Sequence, residues 1–342
     1  MTEINNQIKK VVSQLISVLN PRNREIIARR FGLKTGKKET LEAIGASYDI
    51  TRERVRQIEE ASLSQMRESL SEEGGNRIKP FVTLAGEILH SSNNVVREDE
   101  LFARFSGDGS ETPGNAALVF VLTLAHTFVR SMEDEDFYTF WSVDADRSAS
   151  FRAETAQFIS SLAKHGQVVA NTALSTIAHT TPDEIQSFMS ISKNIGSNVF
   201  NEIGLTKWPE IKPRGVRDKS YLVLKKEGNP KHFREITELI NTANFSTRKA
   251  HIQTVHNELI KDDRFVLVGR GIYALAEWGY ESGTVKEVIA SLLRKEGSQT
   301  KEQVIAHVMK TRMVKPNTVI LGMQDKKLFS ETESGHLTLK EA

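Results

Sequence analysis

The sequence predicts a mainly α-helical protein with small β-hairpins, an N-terminal helix-turn-helix bundle followed by a tandem array of about four winged-helix-like domains. Three observations predict it. Apolar residues recur at helical spacing through most of the 342 residues, the hallmark of amphipathic helices. The run "SEEGGNR" (71–77) interrupts that pattern, and its paired glycines are expected to close the opening helical segment. Beyond it one plan returns at intervals of about 60–70 residues: an amphipathic helix, two shorter helical stretches, then a β-rich piece with a turn and often a tryptophan.

The elements follow in order. Ile8, Val11, Val12, Leu15, Ile16 and Leu19 stripe a first helix, and Ile26, Ile27, Arg30 and Phe31 a second. "TLEAIGASYDI" gives a short helix with Leu41 and Ile44 inward and a turn at Asp49 and Ile50. A longer helix starts after Thr51, whose hydroxyl can cap the free backbone N–H groups. Four modules are then expected, at 75–147, 148–213, 214–281 and 282–342, after a head at 1–74. Each ends in a hairpin-like run, "FVRSMEDEDFYTFWSV", "NVFNEIGLTKW", "DDRFVLVGRGIYALAEWGY" and "KKLFSETESGHLTLKE" in turn.

The 46 basic and 44 acidic residues nearly cancel, so attraction to a polyanion must come from local patches. Asn20 to Ile58 holds ten Lys/Arg against five Asp/Glu, and Lys212 to Arg234 holds eight against two. The first module is acidic: Glu98, Asp99, Glu100, Asp108 and Glu133 to Asp136 would be repelled by DNA, which fits a protein partner or a spacer. There is no cysteine, so apolar cores must hold the fold without disulfides or thiolate zinc, in keeping with a reducing cytoplasm. The greasiest run, "AALVFVLTLAHTFV" (116–129), is too short to span a bilayer, and the N-terminus has no apolar signal core.

On the helix after Thr51, Val55, Ile58, Ser62 and Met66 share the inner face. Arg52, Glu53, Arg56, Gln57 and Glu60 share the opposite one. Arg can bridge the two acceptors of guanine, Gln can pair with adenine and Glu can accept from cytosine, so this face carries a base-reading vocabulary. The preceding short helix and turn are the unit that sets such a helix across a major groove.

"LNPRNREIIARRFGL…TLEAIGASYDITRERVRQIEEASLSQMR", roughly residues 15–70, closely resembles region 4 of primary bacterial sigma factors, the domain that reads the upstream promoter hexamer and docks on the RNA polymerase β flap. The resemblance implies Arg52, Glu53, Arg56 and Gln57 as base readers. It implies Thr40, Leu41, Arg54, Arg29 and Arg30 at the phosphate backbone, where Lys37 and Lys38 of the neighbouring loop also fit. The core-binding and melting regions of a full sigma factor are not expected here. Residues 216–280, with "HFREI" and the "DxRFVLVGRGIYALxEW" hairpin, resemble the HARE winged-helix domain, found in the δ subunit of RNA polymerase and in chromatin proteins. Its Lys231, Arg234, Arg248, Lys249 and the expected wing-tip Arg270 form a possible second face toward DNA or a partner.

Other chemistries fit poorly. "GLKTGKKET" has three residues between its glycines where a phosphate loop needs four, and no strand precedes it. Asp183, Glu210 and Lys212 have a loose nuclease spacing, but Thr181 and Pro182 look like a helix cap and first turn, not a strand presenting carboxylates. The histidines form no HxxxH or HExxH pair. The expectation is a non-enzymatic, sequence-specific transcription factor of the bacterial cytoplasm or nucleoid, without cofactor, metal, small-molecule ligand or membrane. Its partners would be double-stranded DNA and the RNA polymerase core. The alternative is an architectural protein or repressor, or a protein-docking subunit of a transcription complex that does not bind the flap.

Overall fold

The computed structural model describes residues 2–70, 72–174, 180–332 and 334–340. They form two compact units: one runs to Gly196 and takes in Ile203–Thr206, and the other holds Ser197–Glu202 and Lys207 onward.

The first unit opens with α1 (Thr2–Ile16), α2 (Pro21–Phe31), α3 (Leu41–Tyr48) and α4 (Arg52–Glu68). Local signals set their ends. Asn20 caps α2 with Pro21 in its first turn, and Gly32 closes it in the left-handed region at φ 72°. Thr40 accepts from the Ala43 amide to start α3, and Asp49 ends that helix at φ 54°. Arg24 reaches back to the last carbonyls of α1, donating to Ile16, Ser17 and Leu19, so the α1–α2 corner is held by a side chain.

Next come α5 (Glu72–His90), β1 (Val95–Arg97), α6 (Glu98–Ser106), α7 (Pro113–Ala125), β2 (Val129–Ser131) and β3 (Phe140–Ser142). The glycine pair does not close a helix. α4 ends earlier, at Glu68, and Gly74 and Gly75 lie in the first turns of α5. Two glycines cost about 1 kcal/mol each in a helix. Burial of Ile78, Phe81, Ala85, Ile88 and Leu89 on the same helix outweighs that, at roughly 1.5–3 kcal/mol for each large side chain.

Those residues do not form a separate core. Ile8, Val12, Leu19, Ile27, Phe31, Leu63 and Met66 of the opening helices pack in one apolar cluster with Phe81, Leu89, Phe102, Phe105 and Leu118 to Leu122. Residue 74 therefore divides sequence segments that share an interior. At its centre lies α7, buried from Gly114 to Leu122 and again at Leu124, which explains why "AALVFVLTLA" is apolar all round.

After it come α8 (Ala145–His165), β4 (Val169–Ala170), α9 (Pro182–Ile191), β5 (Ile195–Ser197) and β6 (Glu202–Leu205); residues 175–179, between β4 and α9, lie outside the described residues. Thr181 and Glu184 make a reciprocal capping box on α9 with Pro182 in its first turn, as expected of this stretch. The acids between β2 and β3 face this module. Arg152 donates to Asp134 at 2.8 Å, Lys193 to Glu133 at 2.6 Å and Asn194 to Asp136 at 2.7 Å, while the Tyr138 amide donates to the Ile191 carbonyl. Phe137, Phe140, Phe151, Phe188 and Phe158 stack in succession beneath, with neighbouring centroids 5.4–6.2 Å apart. The partner sought for these acids lies in the same chain.

The second unit holds α10 (Val216–Glu227), β7 (Lys231–His232), α11 (Phe233–Thr242), α12 (Ile252–Lys261), β8 (Phe265–Gly269) and β9 (Ile272–Leu275). It continues with α13 (Val285–Glu296), α14 (Lys301–Thr311), α15 (Pro316–Met323), β10 (Phe329–Glu331) and β11 (Leu337–Leu339). The sheets repeat one another. Their strand orders are β1-β3-β2, β4-β6-β5 and β7-β9-β8, each with the short leading strand against the last strand of the hairpin. In the final module a single bridge between Gln299 and Leu337 stands where that leading strand would be. Among the described residues no helix is long and apolar enough to cross a membrane.

Candidate nucleic-acid interface

The head's own small core is Ile26, Ile44 and Val55, one from each of α2, α3 and α4, with Leu41, Tyr48, Ile50 and Ile58 against it. It fixes α4 relative to α3. The turn between them is tight: a Cβ on Gly45 would stand 2.6 Å from the Ile50 carbonyl oxygen, so only glycine lets the chain fold back this closely. Thr51 then accepts from the Arg54 amide at 3.2 Å and starts α4.

Arg52, Glu53, Arg54, Arg56 and Gln57 are all exposed on the first turns of α4. They are linked to one another. Arg56 donates to both oxygens of Glu53, at 2.7 and 3.0 Å, and its Nη1 lies 2.9 Å from Glu60. Arg54 donates to the Gln57 side-chain oxygen at 3.0 Å. The hydrogen bond from Arg56 holds the Glu53 carboxyl below its ordinary value, and Glu53, more than Glu60, raises the Arg56 guanidinium. Both partners are exposed, so water and salt screen these pairs. They order the side chains without locking them, and a base edge can replace either partner.

The residues expected at phosphate divide into two sets. Thr40, Lys37 and Arg54 are exposed. Arg29, Arg30 and Lys38 are engaged within the chain. Arg29 forks onto Glu39, with Nε 2.9 Å from Oε1, and donates to Ser47 at 2.7 Å. Arg30 meets Glu59 at 3.0 Å and the Glu39 carbonyl at 3.2 Å. Lys38 points to Glu98 of the first module at 3.9 Å; burial, then the positive charge of Arg130, lowers its ammonium below the ordinary lysine value. Leu41 is half-buried against the head core, leaving its backbone and the Thr40 hydroxyl as the polar groups of that helix start.

Glu98 is a hub that spacing did not single out. It accepts from Arg130 Nη2 at 2.6 Å and from Trp141 Nε1 at 3.0 Å. Glu39 and Glu59 were likewise absent from the expected site; both sit near arginines only after folding, Glu59 29 positions beyond Arg30. Arg22 is a further exposed cation, 5.6 Å above the Tyr48 ring that Arg29 also approaches at 5.8 Å.

In the third module Arg234, Arg248, Lys249 and Arg270 are exposed, and Lys231 pairs with Glu227 at 3.0 Å. Arg270 is at the β8–β9 turn, as "GRG" predicts. Gly271 adopts φ 70° there, and a Cβ on it would collide with His232 Nε2 at 2.7 Å. The middle of this module exposes Ile252 and Ile260 on α12. Among the described residues no group of three or more His, Asp or Glu side chains is arranged to hold a metal ion.

Comparison with known proteins gives this geometry its class. Residues 15–68 match the family model for sigma-70, region 4, and are a region 4 domain. Similar proteins include the RNA polymerase sigma factor SigA1 of Synechococcus elongatus, 40% identical over 62 residues, covering 18% of this chain and 16% of that protein. RNA polymerase sigma factor RpoS of Coxiella burnetii is 41% identical over 70 residues, a fifth of each chain. The chloroplastic sigma factor sigF of Arabidopsis thaliana is 40% identical over 63 residues, covering 18% of this chain and 12% of the relative. The chain thus spans about a sixth of the length of the curated relatives it matches.

Proposed function

We propose that this protein is a non-enzymatic, sequence-specific DNA-binding regulator of transcription that reads a promoter-like element and acts with RNA polymerase in the cytoplasm or nucleoid of a bacterium. One observation carries the reading: Arg52, Glu53, Arg56 and Gln57 are displayed together on the outer face of a Thr51-capped helix, within a region 4 domain. Arg54, Lys37 and the start of α3 at Thr40 serve as phosphate contacts, which position the helix, while the other four read base edges. Arg29 and Arg30 act from behind, through Glu39 and Glu59, by fixing α2 against the α3–α4 pair.

The four modules that follow are winged helices; the order of helix, strand, helix, helix and hairpin, complete in the first and third and partial in the second and fourth, supports this. The third is of the HARE type. Its Arg234, Arg248, Lys249 and Arg270 form a second, weaker face for phosphate.

A salt titration of duplex binding tests the reading. About three phosphate contacts from the head predict that log affinity falls against log salt with a slope near −3, steeper by about one for each contact the third module adds. Preference among duplexes should survive the titration. A chain that binds duplex weakly, with no slope and no preference, is a docking protein and not a reader.

A further inference from the structure

The head has two apolar faces. One is the small core that joins α2, α3 and α4 behind the exposed arginines. The other carries Ile8, Val12, Leu19, Ile27, Phe31, Leu63 and Met66, and in a free-standing four-helix head it would lie open to water. A helix of another protein docks by laying an apolar stripe into such a face. Here the face is already filled. Phe120 of α7 is fully buried and meets Phe31 edge to face at 5.1 Å. Arg67 of α4 donates to the Thr123 and Leu124 carbonyls, closing the end of α7. At the other end Gly114 lies so close to α1 that a Cβ there would stand 2.6 Å from Asn5 Oδ1.

We propose that α7 is a resident occupant of the head's second apolar face, so that the head reads DNA but offers no seat to an apolar helix of RNA polymerase. Contact with polymerase then runs through other surfaces of the chain. The idea rests on the partnership proposed above only for its biological meaning; the closure itself is a property of the free protein.

The cysteine-free sequence permits a direct test. A Cβ at position 114 would lie 3.4 Å from the Cβ of Asn5, just under the usual disulfide span of about 3.5–4.5 Å, so a small outward shift lets the double variant Asn5→Cys/Gly114→Cys lock α7 to α1. Oxidised and reduced forms should bind purified core RNA polymerase with affinities within about twofold of each other. A tenfold or greater loss on oxidation would show that α7 must vacate the face, and would overturn the proposal. Amide exchange of the unmodified chain gives an independent reading. Amides of α7 should exchange as slowly as those of α2 and α4, with and without polymerase. Exchange in α7 a hundredfold faster than in α2, alone or with polymerase, sinks the closure. If neither form binds polymerase, the proposed partnership fails, and exchange alone decides whether the head is closed.

Discussion

Phe31 on α2 and Phe120 on α7 meet edge to face at 83° with centroids 5.1 Å apart, and this contact joins two stretches of sequence that look like separate domains. Truncating Phe120 to alanine removes one of the largest fully buried side chains of the unit. The loss should be about 3–5 kcal/mol. Calorimetry should show head and first module melting in one transition at lower temperature; a separate head transition left unmoved would contradict the shared core.

Arg56→Ala is expected to cost about 1–3 kcal/mol at one base pair of the target and little elsewhere. Binding to duplexes substituted one position at a time checks this, and an equal loss on every sequence would remove Arg56 from the base readers. Glu60→Gln should act oppositely, because Arg56 would lose a competing carboxylate at 2.9 Å. Affinity should rise severalfold at low salt, and the gain should fade as salt screens it.

Glu98 supports three side chains at once. Glu98→Gln leaves Arg130 and Trp141 with a weaker acceptor and Lys38 with only the more distant influence of Glu111, which should lower stability by about 1.5–3 kcal/mol. Urea unfolding measures it. A change near zero would mean that Lys38 and Arg130 find solvent or other partners at no cost.

The joint between the first two modules should weaken in acid. The Arg152 hydrogen bond holds the Asp134 carboxyl below the ordinary aspartate value. A depressed carboxyl contributes stability that is present above the unfolded value, near 3.9, and is lost as pH falls through the folded one. Protection of the Tyr138 and Lys193 amides, taken relative to intrinsic exchange at each pH, should therefore fall below about pH 4, and Arg152→Ala should flatten that dependence.

Gly271→Ala puts a side chain at φ 70° against His232 and the Phe233 ring. Left-handed strain of about 1–2 kcal/mol is added to the collision. The third module should lose stability and the wing should shift; unchanged thermal unfolding would show that His232 swings clear.

The sequence shows some of this directly and hides the rest for physical reasons. Caps at Thr51 and Thr181, the hairpin turn at Arg270 and the exposed polar face of α4 are local, set by residues within a few positions of one another. At the start of α5 the glycine pair is a local signal, whereas the burial of Phe81 and Leu89 that overrides it is not. The pairing of Arg29, Arg30 and Lys38 is invisible for the same reason. Their partners lie 10, 29 and 60 positions away, and an arginine awaiting phosphate reads like one awaiting glutamate.

One helix does two jobs along its length. The first turns of α4 display Arg52, Arg56 and Gln57, while Leu63 and Met66, two turns later, are anchored in the shared interior. Each residue advances an α-helix by about 100°. A one-residue insertion between Gln57 and Leu63 would leave the anchor seated and turn the arginines about a quarter of the way round the axis. The exposed arginines and the anchor are thus held in helical phase, so the number of residues between them matters as much as which residues they are.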